Sequence, residues 1–304
     1  MTRFLRLMAA EGLKARRSAV TRLVWMLPLL FVGLMFFGFD RHMLGLRHLT
    51  PGFHTFLEFE PLRLLVTLWA GFFQPMALAL LPALLFLPEH RGKTWNHLHA
   101  MPLPRRSFFL AKAVSALLLS AGMLVVLGLL LLLERRALGS VNPLLALPCH
   151  GLTLFRVLAW LWLGSLPVLA IYLWVADRIP TLAVSVVFGL LGLLLTITLT
   201  GQELDQPWRR DLNPWVLPYA AAERVIHQGP GQQEAHAAGQ LFQKEPGKAR
   251  LPSGRKIRIW QNIPDEVLFP PPPPTPAWLL AAFSAGAGLL LLALGWLDAG
   301  RARR

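Results

Sequence analysis

Histidine and cysteine are the side chains in this sequence with the clearest capacity for catalysis or metal binding. All nine histidines fall in loops or at the ends of apolar stretches. His97 and His99 are two residues apart, so they do not share a helix face as the ligands of an H-E-x-x-H zinc site do. The single cysteine, Cys149, has no partner for a disulfide or a metal motif. Gly164-Ser165 lacks the G-x-S-x-G pattern of a hydrolase nucleophile. We therefore predict no catalytic, cofactor-binding or metal-binding residue in this chain.

The sequence also has no motif that could supply energy for active transport across a membrane. The Gly92-Lys93 and Gly247-Lys248 pairs lack the upstream glycine of a G-x-x-x-x-G-K-[ST] nucleotide-binding loop. The long apolar stretches carry no Asp, Glu, Lys or Arg at their centres, although ion-coupled carriers generally need such groups. If the protein transports a substrate with ATP, a separate ATPase subunit must bind the ATP and Mg²⁺.

The loop at residues 89–107 contains the most informative polar residues. It begins at Glu89 and is rich in basic residues and histidine. A short amphipathic helix here would place Trp95, Leu98 and Met101 on one face, and Pro102 would end it. This loop is either an ordinary basic loop or a docking helix that transmits motion from a soluble partner.

The elements around this loop are predicted to be membrane-spanning helices. The chain has 304 residues, 55% hydrophobic and 15% charged, with a mean hydropathy of +0.50. Several stretches reach the length of about 18 apolar residues that crosses a bilayer core. The predicted fold is an all-α integral membrane protein with six transmembrane helices, at residues 22–39, 64–88, 108–133, 154–176, 180–200 and 277–297.

Charge near the predicted spans gives an orientation. Residues 1–21 form an amphipathic segment that is expected to lie on the membrane surface as an interfacial helix, with Glu11, Lys14 and Arg17 on it. Basic residues in short loops predict that the N and C termini are both cytoplasmic. The net charge of +14 comes mostly from such flanking residues, so we predict no nucleic-acid binding.

One long polar stretch interrupts the apolar pattern. The predicted domains are therefore 1–21, the first five spans within 22–200, a small extracytoplasmic domain at 201–276, and the last span with its tail at 277–304. Within 201–276, residues 213–222 predict an interfacial turn followed by a short helix. The proline run at 270–274 predicts a rigid strut leading into the last helix.

The loop resembles the first cytoplasmic loop of ABC-2 type transporter permeases. That family has the pattern E-x-x-x-G-[TK]-x-x-x-L-x-x-x-P-x-x-R followed by A-K. Residues at or within one position of this pattern are Glu89, Thr94, Leu98, Pro102, Arg105 and Lys112. The stretch from Ala10-Glu11 to Ser18 is similar to the start of the same family. The resemblance is closest to its lantibiotic-immunity and bacitracin-export branch.

This resemblance implies a permease subunit in the plasma (inner) membrane, part of an exporter that moves an amphipathic substrate such as a peptide antibiotic or a lipid-like molecule. It implies an ABC ATPase as partner, a homo- or heterodimer of permeases, and contact with membrane lipid. The implied ATPase-docking residues are Glu89, Arg91, Thr94, Trp95, Leu98, Pro102 and Arg105. A non-transporting membrane scaffold or assembly factor is the main alternative. An intramembrane hydrolase or transferase and a secondary carrier are the other two.

Overall fold

The protein is a bundle of helices built around two long central ones. The computed structural model describes residues 2–16, 18–40, 62, 64–91, 105–141, 151–179, 181–200, 211–227 and 277–301. Within these ranges every regular element is helical: α1 (Thr2–Arg16), α2 (Ala19–Met35), α3 (Gln74–Arg91), α4 (Arg105–Val141), α5 (Gly151–Arg178), α6 (Leu182–Thr200), α7 (Leu217–His227) and α8 (Ala277–Arg301). A π-helical turn, Phe36–Asp40, continues α2, and a π-helical segment, Leu65–Phe73, precedes α3.

Among the described residues, six helical segments are long and apolar enough to cross a membrane, and this number matches the prediction. They run over Ala19–Gly38, Leu65–Glu89, Arg106–Val141, Gly151–Arg178, Leu182–Thr200 and Leu279–Asp298. The third differs most from the prediction, because α4 continues to Val141 instead of ending near residue 133. Glu134, Arg135 and Arg136 end the apolar stretch there, but Glu and Arg are good helix formers and do not end the helix.

Helices α3 and α5 form the centre of the bundle. The spans that contain them are 61% and 56% buried, whereas those of α2, α6 and α8 are 28% buried or less. α5 packs against α3, α4, α7 and α8. We call the end of the bundle that holds the last turn of α3 and the first turn of α4 the proximal end, and the opposite end the distal end. One apolar cluster, around Trp69 and Leu161, lies towards the distal end, and another, around Phe109 and Leu173, towards the proximal end.

The second span changes helix type partway along. The backbone N–H of Gln74 donates to the carbonyl of Trp69, five residues earlier, as in a π-helix. Pro75 follows, and its missing N–H leaves one carbonyl of the preceding turn without its α-helical donor. Gln74 Nε2 donates to the carbonyl of Leu161 on α5 at 3.1 Å. This hydrogen bond joins the second span to α5.

A short segment between α6 and α8 enters the bundle. As predicted, it contains a turn, at residues 212–216, followed by the short helix α7. Val216 and Leu217 are at most 1% exposed. A Cβ atom on Gly164, halfway along α5, would lie 2.6 Å from Pro218 Cα, so only glycine allows this approach. The described part of the predicted domain 201–276 therefore packs within the bundle. The rest of that domain, including the proline run, lies outside the described residues.

Helix α1 joins α2 through Ser18 and turns one polar face towards the bundle. Ser18 Oγ accepts a backbone N–H of α2 at 3.2 Å and donates to the carbonyl of Ala15 at 2.8 Å. Glu11 and Ala15 are buried, whereas Leu5 and Leu13 are more than half exposed. The N-terminal helix is thus present, and its position on a membrane surface stays a prediction.

Candidate functional site

Four charged side chains from three helices meet at the proximal end, and we call them the ionic cluster. Glu11 and Lys14 come from α1, Glu89 from α3 and Lys112 from α4. Lys112 Nζ lies 3.2 Å from Glu11 Oε2 and 3.0 Å from Glu89 Oε2. Lys14 Nζ lies 3.1 Å from Glu11 Oε1 and 3.2 Å from Glu89 Oε1. Each carboxylate thus lies between two ammonium groups, and each ammonium group lies between two carboxylates.

The local sequence explains how the four side chains reach one another. The two members on α1 are three residues apart, a spacing that puts them on the same face of a helix. Glu89 lies in the last turn of α3, and Lys112 lies in the third turn of α4. Lys112 Nζ also donates to the carbonyl of Leu85 at 2.7 Å and lies 5.1 Å from the centre of the Phe86 ring. Lys112 therefore fastens the first turns of α4 to the last turns of α3.

Three members of the ionic cluster are removed from solvent. Glu11 and Glu89 are 3% exposed and Lys112 is 2% exposed, while the side chain of Lys14 is 52% exposed. Buried charges are costly unless they are paired, and breaking a buried pair from one side leaves an uncompensated charge. Here two negative charges are balanced by two positive charges. The cluster is stable only while α1, α3 and α4 keep their relative positions.

The exposed member has a perturbed protonation equilibrium. Partial burial lowers the pKa of Lys14, but its attraction to Glu11 and Glu89 and its hydrogen bonds to them outweigh that effect. The net result is a pKa raised above the ordinary value of 10.5. Lys14 is therefore fully charged at neutral pH.

The structure brings together residues that the sequence placed in two separate sets. Glu11 and Lys14 belonged to the predicted interfacial helix, and Glu89 belonged to the predicted docking loop. Arg91 is the last residue of α3 and Arg105 the first of α4, so the two flank the undescribed residues 92–104. The remaining predicted site residues lie outside the described residues: Thr94, Trp95, Leu98, Pro102 and Arg17.

Lys112 is the cluster member that the site prediction omitted. It appeared only as the end of a sequence pattern, because a lysine among apolar residues near the start of a span looks like an ordinary interfacial flank. A signal was present: Lys112 follows Arg105 and Arg106 by about two turns, farther into the helix than a flanking charge needs to be. In the described part of the chain, no group of three His, Cys, Asp or Glu side chains could hold a metal ion.

The family of the chain is given by a sequence comparison. A family model described as "ABC-2 family transporter protein" matches residues 7–192. The chain belongs to the ABC-2 transporter family. This ABC-2 protein is thus a membrane transport component that is not itself catalytic, and the apolar helices in its described part make it a multi-pass membrane protein. The matched range contains all four members of the ionic cluster, the first four spans and the first part of the fifth span. No curated protein sequence and no solved structure has a significant match to the chain.

Proposed function

We propose that the protein is the permease subunit of an ABC-2 exporter, driven by ATP that a separate ATPase subunit hydrolyses. The observation that carries this proposal, beyond family membership, is the position of the ionic cluster. Glu89 lies two residues before the end of α3 and Lys112 lies seven residues after the start of α4, so the cluster holds both sides of the predicted docking loop. Any force that a soluble partner exerts on that loop acts directly on this cluster.

The cluster would make the helix ends move as one body. Lys112 joins α3 to α4 through Glu89 and the Leu85 carbonyl, and it joins both helices to α1 through Glu11. A displacement of α3 alone would separate buried opposite charges, which is costly in a low-dielectric environment. Closure of the ATPase subunits would therefore shift α1, α3 and α4 together. This shift is the conformational signal that the proposal requires.

The remaining parts of the proposal follow from the resemblance and from charge. Two permease copies, identical or different, would form the pathway in the plasma (inner) membrane, with the proximal end and both termini cytoplasmic. ATP and Mg²⁺ would be bound by the ATPase alone. The cargo would be amphipathic, such as a peptide antibiotic or a lipid-like molecule, which suits helices with apolar walls. Export of a peptide antibiotic by the lantibiotic-immunity and bacitracin-export branch would give resistance to it.

The first experiment is co-purification of this chain with a co-expressed ABC ATPase subunit. Wild type is compared with a docking-loop variant, Trp95→Ala/Leu98→Ala, and with a cluster variant, Glu89→Gln. Leu289→Ala is the matched control, because Leu289 is 68% exposed near the middle of α8. We expect wild type and the control to retain the ATPase and the docking-loop variant to lose it.

The cluster variant separates docking from coupling. The resemblance implies a docking role for Glu89, but its side chain is 3% exposed and a soluble partner would have little access to it. Glu89→Gln keeps the size of the side chain and removes this buried charge, so the variant should retain the ATPase while uncoupling ATP hydrolysis from movement of the loop. The measurement is the stimulation of ATPase activity on complex formation in proteoliposomes. If wild type captures no ATPase, the exporter proposal fails and the scaffold alternative becomes the better one.

A further inference from the structure

A groove between α5 and α8 opens at the surface of the bundle near the proximal end. Its volume is about 530 Å³, within the range of about 300–1,000 Å³ typical of small-molecule sites. Ile171, Leu291, Leu294 and Leu297 contribute apolar walls. Leu294 is 52% exposed and Leu297 is 41% exposed, so the groove faces the surroundings of the bundle rather than its core.

The proximal end of this groove is polar. Arg178, the last residue of α5, pairs with Asp298 of α8 through Nη2 and Oδ2. Trp174 Nε1 donates to the same Asp298 oxygen at 3.1 Å, and the Arg178 guanidinium lies 5.2 Å from the centre of the Trp174 ring. The side chains of Arg178 and Asp298 remain 49% and 34% exposed. The groove thus combines an apolar trough with an accessible pair of opposite charges at one end.

The position of the groove determines the class of molecule that can fill it. The residues of the groove belong to two membrane-spanning segments, Gly151–Arg178 and Leu279–Asp298, and they end where those spans end. Its apolar part therefore faces acyl chains, and its charged end lies at the level of lipid headgroups. An occupant must have an apolar tail and a polar head.

The charges at the mouth favour a particular headgroup. Arg178 and Asp298 present one positive and one negative charge there, so an anionic headgroup bound to Arg178 would bring its negative charge next to the carboxylate of Asp298. A zwitterionic headgroup can place its phosphate on the guanidinium and its ammonium on the carboxylate, with both charges compensated. A primary ammonium donates hydrogen bonds to a carboxylate, whereas a choline group has no N–H to donate. Arg178 already lies over one face of the Trp174 ring, so that face does not offer a site for a choline group.

We propose that this groove binds a phosphatidylethanolamine-type phospholipid from the leaflet at the proximal end. One acyl chain lies between α5 and α8, the phosphate contacts Arg178, and the ammonium group contacts Asp298. Trp174 holds the carboxylate of Asp298 in place for this contact. The site is independent of the identity of the cargo and of the ATPase partner.

Lipid competition measured by native mass spectrometry tests this proposal. The full-length protein, purified in detergent and stripped of lipid, is mixed with equal amounts of dioleoylphosphatidylethanolamine and dioleoylphosphatidylcholine. We expect wild type to bind the ethanolamine lipid about tenfold more tightly than the choline lipid in the first binding step. A tenfold ratio corresponds to the free energy of about one charge-assisted hydrogen bond. Asp298→Asn should still bind lipid but lose the preference, since it keeps the trough and removes the negative charge.

A matched pair of tryptophan variants tests the trough itself. Leu294→Trp fills the groove and should remove the first tight binding step for both lipids. Leu289→Trp adds the same bulk on the same helix at a position that does not line the groove, and it should bind like wild type. An unchanged melting temperature and a single elution peak show that each variant is folded.

Three results would overturn the proposal. The first is equal binding of the two lipids to wild type, and the second is equal loss of binding in both tryptophan variants, which would indicate a general lipid belt. The third is efficient cross-linking of two chains through Leu294→Cys in a Cys149→Ser background. That result would assign the groove to contact between copies of the chain.

Discussion

Replacing Lys112 with methionine tests the ionic cluster most directly. The substitution keeps an unbranched side chain of similar length among Phe86 and the neighbouring turns, and it removes a positive charge that is 2% exposed. Glu11 and Glu89 then keep only Lys14 as the partner within the cluster, and the Leu85 carbonyl loses the Lys112 ammonium group as a donor.

The expected loss of stability follows from the geometry. Removing one partner from a buried ion pair costs about 3–5 kcal/mol, because the remaining charge is left in a medium that solvates it poorly. Lys112 has two such partners, at 3.2 Å and 3.0 Å, so the upper part of that range applies. Replacing all three buried charges, as in Glu11→Gln/Glu89→Gln/Lys112→Met, leaves no uncompensated buried charge and should restore most of the loss.

Lys14→Met is the matched control. Lys14 contacts the same two carboxylates at 3.1 Å and 3.2 Å, but its side chain is 52% exposed. Ion pairs that water can reach contribute roughly 1 kcal/mol or less, so this variant should lose far less stability than Lys112→Met. The assay is the free energy of unfolding in mixed micelles titrated with SDS, followed by tryptophan fluorescence.

Two outcomes would refute this reasoning. If Lys112→Met and Lys14→Met lower the free energy of unfolding equally, burial does not determine the strength of the cluster. If the triple variant is no more stable than Lys112→Met, the cost comes from lost packing rather than from unpaired charge. In the second case the ionic cluster could not couple α1 to α3 and α4 in the way proposed.

Two further predictions concern close packing and pH. Gly164→Ala should lower the free energy of unfolding by about 1–3 kcal/mol, because its Cβ would lie 2.6 Å from the Pro218 backbone. Gly286→Ala should be neutral or stabilising, because a Cβ there would have nothing within 4 Å. Unfolding of both variants in SDS measures the difference. Because the pKa of Lys14 is raised on folding, its contribution should be fully present below pH 10.5 and decline as the pH rises above that value. The stability difference between wild type and Lys14→Met, measured at pH 7, 9 and 11, should therefore be constant at first and then decrease. A stability difference that already decreases between pH 7 and 9 would contradict the raised pKa of Lys14.

The spans could be predicted from sequence because each is a local property of composition. Six apolar stretches predicted the six spans found in the described part of the chain, and polar residues predicted their ends to within about three residues, except at the end of α4. Helix type inside a span is harder to predict, since the π-helical segment Leu65–Phe73 and the α-helix that follows it are both rich in apolar residues. Pro75 lies next to the change of helix type, but a proline predicts a kink without specifying how the preceding turn adapts.

The ionic cluster could be predicted only in part, because its contacts join distant parts of the chain. Glu11 and Glu89 were recognised as polar residues at a membrane boundary, yet Lys112 lies 101 residues from one and 23 from the other along the sequence. A single sequence shows which charges are near membrane ends but not which ones face each other. The burial of α7 could not be predicted for the same reason, since its close approach to α5 depends on Gly164, more than 50 residues away in the sequence.

The burial of α7 has a consequence for the order in which this protein is made. Val216, Leu217 and Ala220 pack with Leu280 at the start of α8, so the wall around α7 is incomplete until the last span has entered the membrane. Helices of membrane proteins insert first and associate afterwards. During synthesis, the apolar face of α7 therefore stays partly uncovered in an intermediate that has only five spans. A chain truncated before α8 should expose this segment to proteases, and the cell would have a simple means of recognising an unfinished copy.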